Sequence, residues 1–316
     1  MAHQHDHDHS HAHGRSHAHG HAGHSHAPAT FGLAFAVGFA LNTVLVGAEF
    51  VFGYTANSLA LISDAIHNLS DVLALLLAWG AAWLSRRRPT QQHTYGYRRA
   101  SILAALINAG LLLIGVGGIA VEAADRLREP AAVAGWTVVI VAAIGILVNG
   151  ATALLFMRGR DNDLNIRATY LHMAADAGVS LGVVVATLVI MATGWLWVDP
   201  AVSLGIAALV LASGWGLARD SVNLALDGVP KGIDLADVKD YLARLDGVTD
   251  VHDLHIWAMS TNETALTAHL VRPAGFNDAF LHGVCEELAH RFSIQHTTLQ
   301  IEAGSDVCKL APAEVV

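Results

Sequence analysis

Between residues 31 and 218 the chain alternates long apolar runs with short polar connectors, whereas residues 219–316 mix apolar and charged positions as a water-soluble domain does. Six apolar runs, 31–53, 59–84, 101–124, 133–157, 166–193 and 198–218, stand out. Each is about as long as the roughly 20 helical residues that cross a hydrocarbon core. The connectors are GYTANS, SRRRPTQQHTYGYRR, DRLREP, RGRDNDLN and GWLWV. This pattern predicts an α-helical membrane protein with six transmembrane helices.

Past Asp227 the period changes. Helices are predicted over 235–245 and 278–292, and strands over 249–259, 264–272 and 297–303, with Val251, Leu254, Ile256, Leu266, Leu270, Leu299 and Ile301 supplying apolar faces. An α-β-β-α-β order fits a small two-layer sandwich with its helices on one face of the sheet. The segments are then a tail (1–29), a membrane domain (30–220), a soluble domain (221–304) and a C-terminal tail (305–316).

Composition agrees with two solvents. The chain is 53% hydrophobic and 14% charged with a mean hydropathy of +0.45, against roughly 25% charged for a soluble domain. Residues 3–26 hold 11 of the 20 histidines and almost nothing to bury, so this stretch is expected to be disordered and to act as a loose metal reservoir. The net charge of −9 argues against a nucleic-acid partner. Cys285 and Cys308 are too few for a disulfide framework and read as structural thiols, with metal ligation by Cys308 the sharper alternative. No secretory signal is visible. Arg86, Arg87, Arg88, Arg98 and Arg99 in one connector, and Arg158, Arg160 and Arg167 around another, place those loops in the cytoplasm. Arg126 and Arg128 on the other side are offset by Asp125 and Glu129. Both termini are then cytoplasmic, in a cell inner (plasma) membrane.

The chemistry lies inside two of the apolar runs. His67 and Asp71 in the second, and His172 and Asp176 in the fifth, each stand at i and i+4, on one helix face. An Asp at a helix centre costs about 2.5–3.5 kcal/mol on insertion scales, so these faces must point into the bundle. Single amides such as Asn42, Asn108 and Asn149 are the better candidates for plain interhelical hydrogen bonding. If the two faces meet, two imidazoles and two carboxylates make a four-coordinate set suited to tetrahedral Zn2+, whose charge the carboxylates cancel. The empty site would instead take up protons, which predicts proton antiport by alternating access. Glu49 and Asp64 flank the GYTANS turn, as an acidic exit vestibule or as a helix cap or local hydrogen bond. A membrane metalloenzyme is the runner-up, but no His-Glu-x-x-His motif occurs and no open metal position remains. A metal sensor that signals through the soluble domain is a third reading.

Together NSLALISDAIHNLSD, HTYGYRRA, YLHMAAD, VDP and VHDLHIWAMS, spread over residues 31–304, resemble the cation diffusion facilitator family of metal-proton antiporters. The resemblance implies a homodimer set in membrane lipid. Each protomer would have six transmembrane helices and a cytosolic ferredoxin-like domain, and would export Zn2+ in exchange for protons without an organic cofactor. It implies that His67, Asp71, His172 and Asp176 form the transport site. It also implies a regulatory zinc site from His252, His269, His282 and Glu302, and a loop site at His93, where Tyr97 stands in place of a second His. His255, His290 and His296 read as ordinary polar residues. Arg98 or Arg99 is expected to pair with Asp220 where membrane and cytosol meet.

Overall fold

A computed structural model describes residues 33–157, 164–304 and 308–310. The His-rich tail, Arg158, Arg160 and most of residues 305–316 lie outside the described residues. The chain divides into two units, Met1–Thr30 and Phe31–Val316, and the second holds all the described residues.

Six helices come first: α1 (Leu33–Thr55), α2 (Leu59–Ser85), α3 (Ala100–Arg128), α4 (Gly135–Met157), α5 (Leu164–Thr193) and α6 (Val198–Ala225). Among the described residues, five of them, α2 to α6, are long and apolar enough to cross a membrane, while the described apolar part of α1, Phe39–Thr55, is shorter. Together they identify an integral membrane protein. Val44, Ile114, Leu147 and Trp215 are exposed on the bundle surface, while Asn68, Asn108, Asp176, Ser180 and Asp199 are buried inside it. That arrangement suits a hydrocarbon solvent, in which polar groups must find partners within the protein.

α2 is the central element and packs on α1, α3, α5 and α6. Its first turn shows how the bundle is pinned. Ser58 is the N-cap, its hydroxyl accepting from the Leu61 N–H and donating to Asp199 Oδ1 at 2.7 Å. The Asp199 carboxylate also accepts the backbone N–H groups of Leu59 (2.7 Å) and Ala60 (3.3 Å). A helix leaves its first four N–H groups without internal partners, and here α6 lends a carboxylate to satisfy two of them. Asp199 is 2% exposed, so the interaction is charge-assisted and dry.

The same end of the bundle is closed by the preceding turn. Asn57 adopts a left-handed backbone (φ 56°), its carbonyl accepts from Arg126 Nη1 at 2.8 Å, and its amide donates to the Ala132 carbonyl. Since the α5–α6 turn sits with Asp199 at the start of α2, α5 and α2 run in opposite directions.

The C-terminal domain follows as α7 (Leu235–Ala243), β1 (Asp250–Ala258), β2 (Thr264–Val271), α8 (Asp278–Phe292) and β3 (His296–Glu302). The sheet order is β1-β2-β3, with β1 and β2 antiparallel and β2 and β3 parallel. Val238 and Leu242 of α7 and Val284 and Leu288 of α8 pack on Val251, Ile256, Leu266 and Leu270. Asp234 caps α7 by accepting from Ala236 N–H, and Asn277 caps α8 by accepting from Phe280 N–H.

The two parts meet at the start of α3, through partners other than those expected. Arg99 pairs with Asp227 and Arg98 with Glu263 (2.6 Å), while Asp220 is taken by Lys231 (2.6 Å). Asp220 lies within α6 and Asp227 just beyond its end, so Asp227 is the acid presented to Arg99. Thr261 N–H donates to Ser101 Oγ, and Tyr95 packs edge-on against His296.

Asp199→Ala would leave two buried N–H donors and the Ser58 hydroxyl without their acceptor, a loss on the order of 2 kcal/mol or more. A thermal melt of the detergent-solubilised protein should show a lowered transition, with Asp199→Asn falling between the two. An Asp199→Ala protein as stable as the parent would show that α2 is pinned by something else.

Candidate metal centres

In the membrane domain, α2 and α5 face each other across His67, Asp71, His172 and Asp176. His67 Nε2 lies 3.2 Å from Asp176 Oδ1, and His172 Nε2 lies 3.2 Å from Asp71 Oδ2 and 3.7 Å from Asp176 Oδ2. His67, Asp71 and Asp176 each offer a ligand atom within 4.8 Å of the others. His172 stands outside that triple, its ring 6.2 Å from that of His67, but touches both carboxylates. Bonds of about 2.0 Å to a tetrahedral zinc put neighbouring ligand atoms roughly 3.3 Å apart, so the His–Asp separations already match. Each imidazole is paired with a carboxylate from the other helix at 3.2 Å, which links α2 to α5 even without a cation.

Exposure is graded along this cluster. The His172 and Asp71 side chains are 42% and 31% exposed, His67 is 14% and Asp176 2%. Because α2 and α5 are antiparallel, His172 and Asp71 lie toward the C-terminal domain, and Asp176 and His67 lie deeper. Deeper again, Glu49 and Asp64 are fully buried. Asn68 Nδ2 donates to Glu49 Oε2 (3.0 Å) and Ser180 Oγ donates to Asp64 Oδ2 (2.8 Å), so local hydrogen bonds hold them, and in this conformation they line no open vestibule. Asn149 differs from its expected part, since neither its Nδ2 nor its Oδ1 has a partner.

The second centre lies in the C-terminal sheet. His252, His269, Glu302 and Cys308 offer ligand atoms within 4.8 Å of one another. His252 and His269 face each other in register on β1 and β2, their rings 5.2 Å apart. Glu302 Oε1 lies 3.1 Å from His269 Nδ1, Glu302 Oε2 lies 3.5 Å from His252 Nε2, and Cys308 Sγ lies 3.7 Å from His269 Nδ1. Both ring nitrogens of His252 are buried without a hydrogen bond, a costly arrangement that a cation would relieve. Two imidazoles, a carboxylate and a thiolate form a donor set suited to zinc.

His282 is not in this cluster. α8 turns Val284 and Leu288 into the core, and a residue two positions before Val284 points away, so His282 is exposed. Cys308 joins the cluster, which departs from its reading as a structural thiol and matches the alternative of metal ligation, while Cys285 is a free thiol on α8 whose pKa burial raises. Asp253 is an additional polar residue beside the cluster, 3.2 Å from His269 and 2.8 Å from His255. It sits at a β-bulge with a left-handed backbone (φ 49°), which breaks the alternation that would have foretold its direction. His93 stacks on Tyr97 (centroids 4.7 Å apart), and among the described residues no group of three metal-ligating side chains includes it.

The cation efflux transmembrane domain profile matches residues 35–224, and that of the cation efflux protein cytoplasmic domain matches residues 230–304. The chain is 38% identical over 281 residues to the metal cation efflux system protein CzcD of Cupriavidus metallidurans, covering 88% of this chain and 86% of that one. It is 38% identical over 273 residues to the zinc transporter ZitB of Escherichia coli, covering 85% and 86%. It is 36% identical over 272 residues to the cadmium, cobalt and zinc/H(+)-K(+) antiporter of Bacillus subtilis, covering 84% and 87%. A solved metal-bound C-terminal domain of the Cupriavidus CzcD transporter is 38% identical, covering 22% of this chain and 99% of that one at a TM-score of 0.21. The profile match over most of the chain and the close relatives make this protein a member of the cation efflux, or cation diffusion facilitator, family: a membrane transporter of metal cations and not an enzyme.

Proposed function

We propose that the protein exports Zn2+ by proton antiport, using His67, Asp71, His172 and Asp176 as a tetrahedral transport site. The observation that carries this reading is the pairing of each imidazole with a carboxylate of the opposite helix, at the separation a shared zinc requires. Two carboxylates cancel the charge of a dication, and without the metal the same atoms bind protons, so metal and protons exclude each other. The exposure gradient favours a resting state open toward the C-terminal domain, from which the cargo enters past His172 and Asp71. The zinc and proton named for the ZitB and Bacillus subtilis relatives agree with this cargo and counter-ion.

The reading includes six membrane crossings, with α1 the sixth, a ferredoxin-like α-β-β-α-β domain in the cytoplasm, both termini on that side, and a plasma-membrane homodimer. The dimer rests on the cytoplasmic-domain family match. The His252, His269, Glu302 and Cys308 cluster is a resident zinc site that stiffens this domain. His93 and His282 are left out of any site built by one chain.

In proteoliposomes, Asp176→Ala should reduce zinc uptake by at least about 100-fold, since it removes one ligand and leaves His67 unpaired. Uptake retained in that variant, or indifferent to an imposed pH gradient in the parent, would contradict the transport site or the antiport respectively. Equilibrium dialysis of the full-length protein with zinc should show one fewer bound ion in His269→Ala and in Glu302→Ala, while Asp176→Ala keeps the ion of the C-terminal cluster. Unchanged stoichiometry in His269→Ala and Glu302→Ala would remove that site.

A further inference from the structure

Glu49 and Asp64 stand deeper than the transport cluster and belong to no metal-ligating group among the described residues, yet both are 0% exposed. Each has one carboxylate oxygen hydrogen-bonded, to Asn68 or Ser180, and one, Glu49 Oε1 or Asp64 Oδ1, buried without a partner. The pairs share a space. α4 passes at Gly145, where a Cβ would lie 3.1 Å from Ser180 Oγ and 3.4 Å from Glu49 Oε1, so glycine lets that helix close over both. Asn149, one turn along the same face of α4, is fully buried with both polar atoms unpartnered.

Among the described residues, α1, α2, α4 and α5 bring no lysine or arginine side chain into this pocket. α4 carries no titratable residue, α1 offers besides Glu49 only the exposed Tyr54 among its described residues, and on α2 and α5 the titratable groups facing this way are His67, Asp71, His172 and Asp176. Asp199 of α6 and Glu122, Asp125 and Arg126 of α3 lie toward the far end, where Asp199 caps α2 and Arg126 holds Glu122 and Asn57. Two bare carboxylates in such a place would carry their full desolvation cost, whereas two carboxylic acids would not. An oxygen on each is free to carry the hydrogen.

We propose that Glu49 and Asp64 are a second proton-binding station, protonated while the transport site is empty and deprotonated when a dication occupies it. The station rests on the antiport reading and extends it. Asp64 lies three residues before His67, about 4.5 Å along the helix axis, so a bound dication acts on this pair across a short dry path. Protons entering from the far side would meet the station first and discharge the cargo by reloading it. Asn68 and Ser180 remain hydrogen-bond partners in either state, which lets the pair change charge without repacking.

The test counts protons released per zinc bound by full-length protein in weakly buffered detergent solution with a pH-indicator dye, zinc alone being the probe. Asp176→Ala gives the release belonging to the C-terminal cluster. Above that baseline, Glu49→Gln and Asp64→Asn should each bind zinc and release fewer protons than the parent, and the double variant should lose roughly half of the release or more. Their uptake in proteoliposomes should also depend less steeply on pH. Parental proton counts in variants that bind zinc would overturn the station, leaving antiport intact. Loss of zinc binding in Glu49→Gln, which keeps the shape and the Asn68 contact, would also overturn it, showing a structural prop. A parent that releases no more protons than Asp176→Ala would instead overturn the antiport reading on which the station rests.

Discussion

A carboxylate inside a hydrocarbon layer must be answered by a neighbour, and the membrane half of this protein is organised around how its acids are answered. Asp199 is answered permanently: the first turn of α2 supplies two N–H groups and the Ser58 hydroxyl, and the positive end of the helix adds its dipole. Asp71 and Asp176 are answered by His172 and His67, which can hold a proton or give way to a metal. Glu49 and Asp64 have one hydrogen bond apiece. The three grades divide structure from chemistry: the fully satisfied acid fixes the helices, and the less satisfied ones are left with something to bind.

The position of α2 follows from this. It carries a pinned end, at Ser58, and in its middle the two residues His67 and Asp71 that meet α5. A helix fixed at one end could tilt about that end if a cation replaced the partners at its centre. Asp64 lies between the two levels and Asn68 at the level of His67, on the face turned to α1 and α5. The Asp199 cap and the His–Asp pairs give this one helix a firm end and a less fully satisfied centre, the combination that the proposed alternating access would draw on.

The parts of this arrangement that repeat along one helix were legible in the sequence. His67 and Asp71, and His172 and Asp176, declare a shared face by their spacing, and an apolar run is a conspicuous background for them. The element order of the C-terminal domain was legible for the same reason, with alternation for strands and a wider period for helices. What depends on rotation between elements was not. Nothing local tells that Asn68 turns to Glu49, or that Asp199 crosses to Leu59. Asp253 was hidden because a left-handed residue at a bulge breaks the alternation by which strand faces are read. His282 matched by position in the chain, but Val284 and Leu288 commit α8 to the other direction.

The junction between the two parts can also be argued on energetic grounds. Arg98–Glu263 and Arg99–Asp227 are 38% exposed or more on every side chain, and ion pairs of that kind are worth about 0–1 kcal/mol each. Pairs this weak set register without locking it. Rigidity must then come from inside the domain. Glu263 directly precedes β2, which carries His269 six residues after it, and the candidate metal-ligating cluster draws on β1, β2 and β3 together. A cation held there would tie the three strands to one point and stiffen the strand that meets α3. Its effect would reach the membrane half through Arg98 and Ser101, whose partners, Glu263 and Thr261, sit in the short turn between β1 and β2.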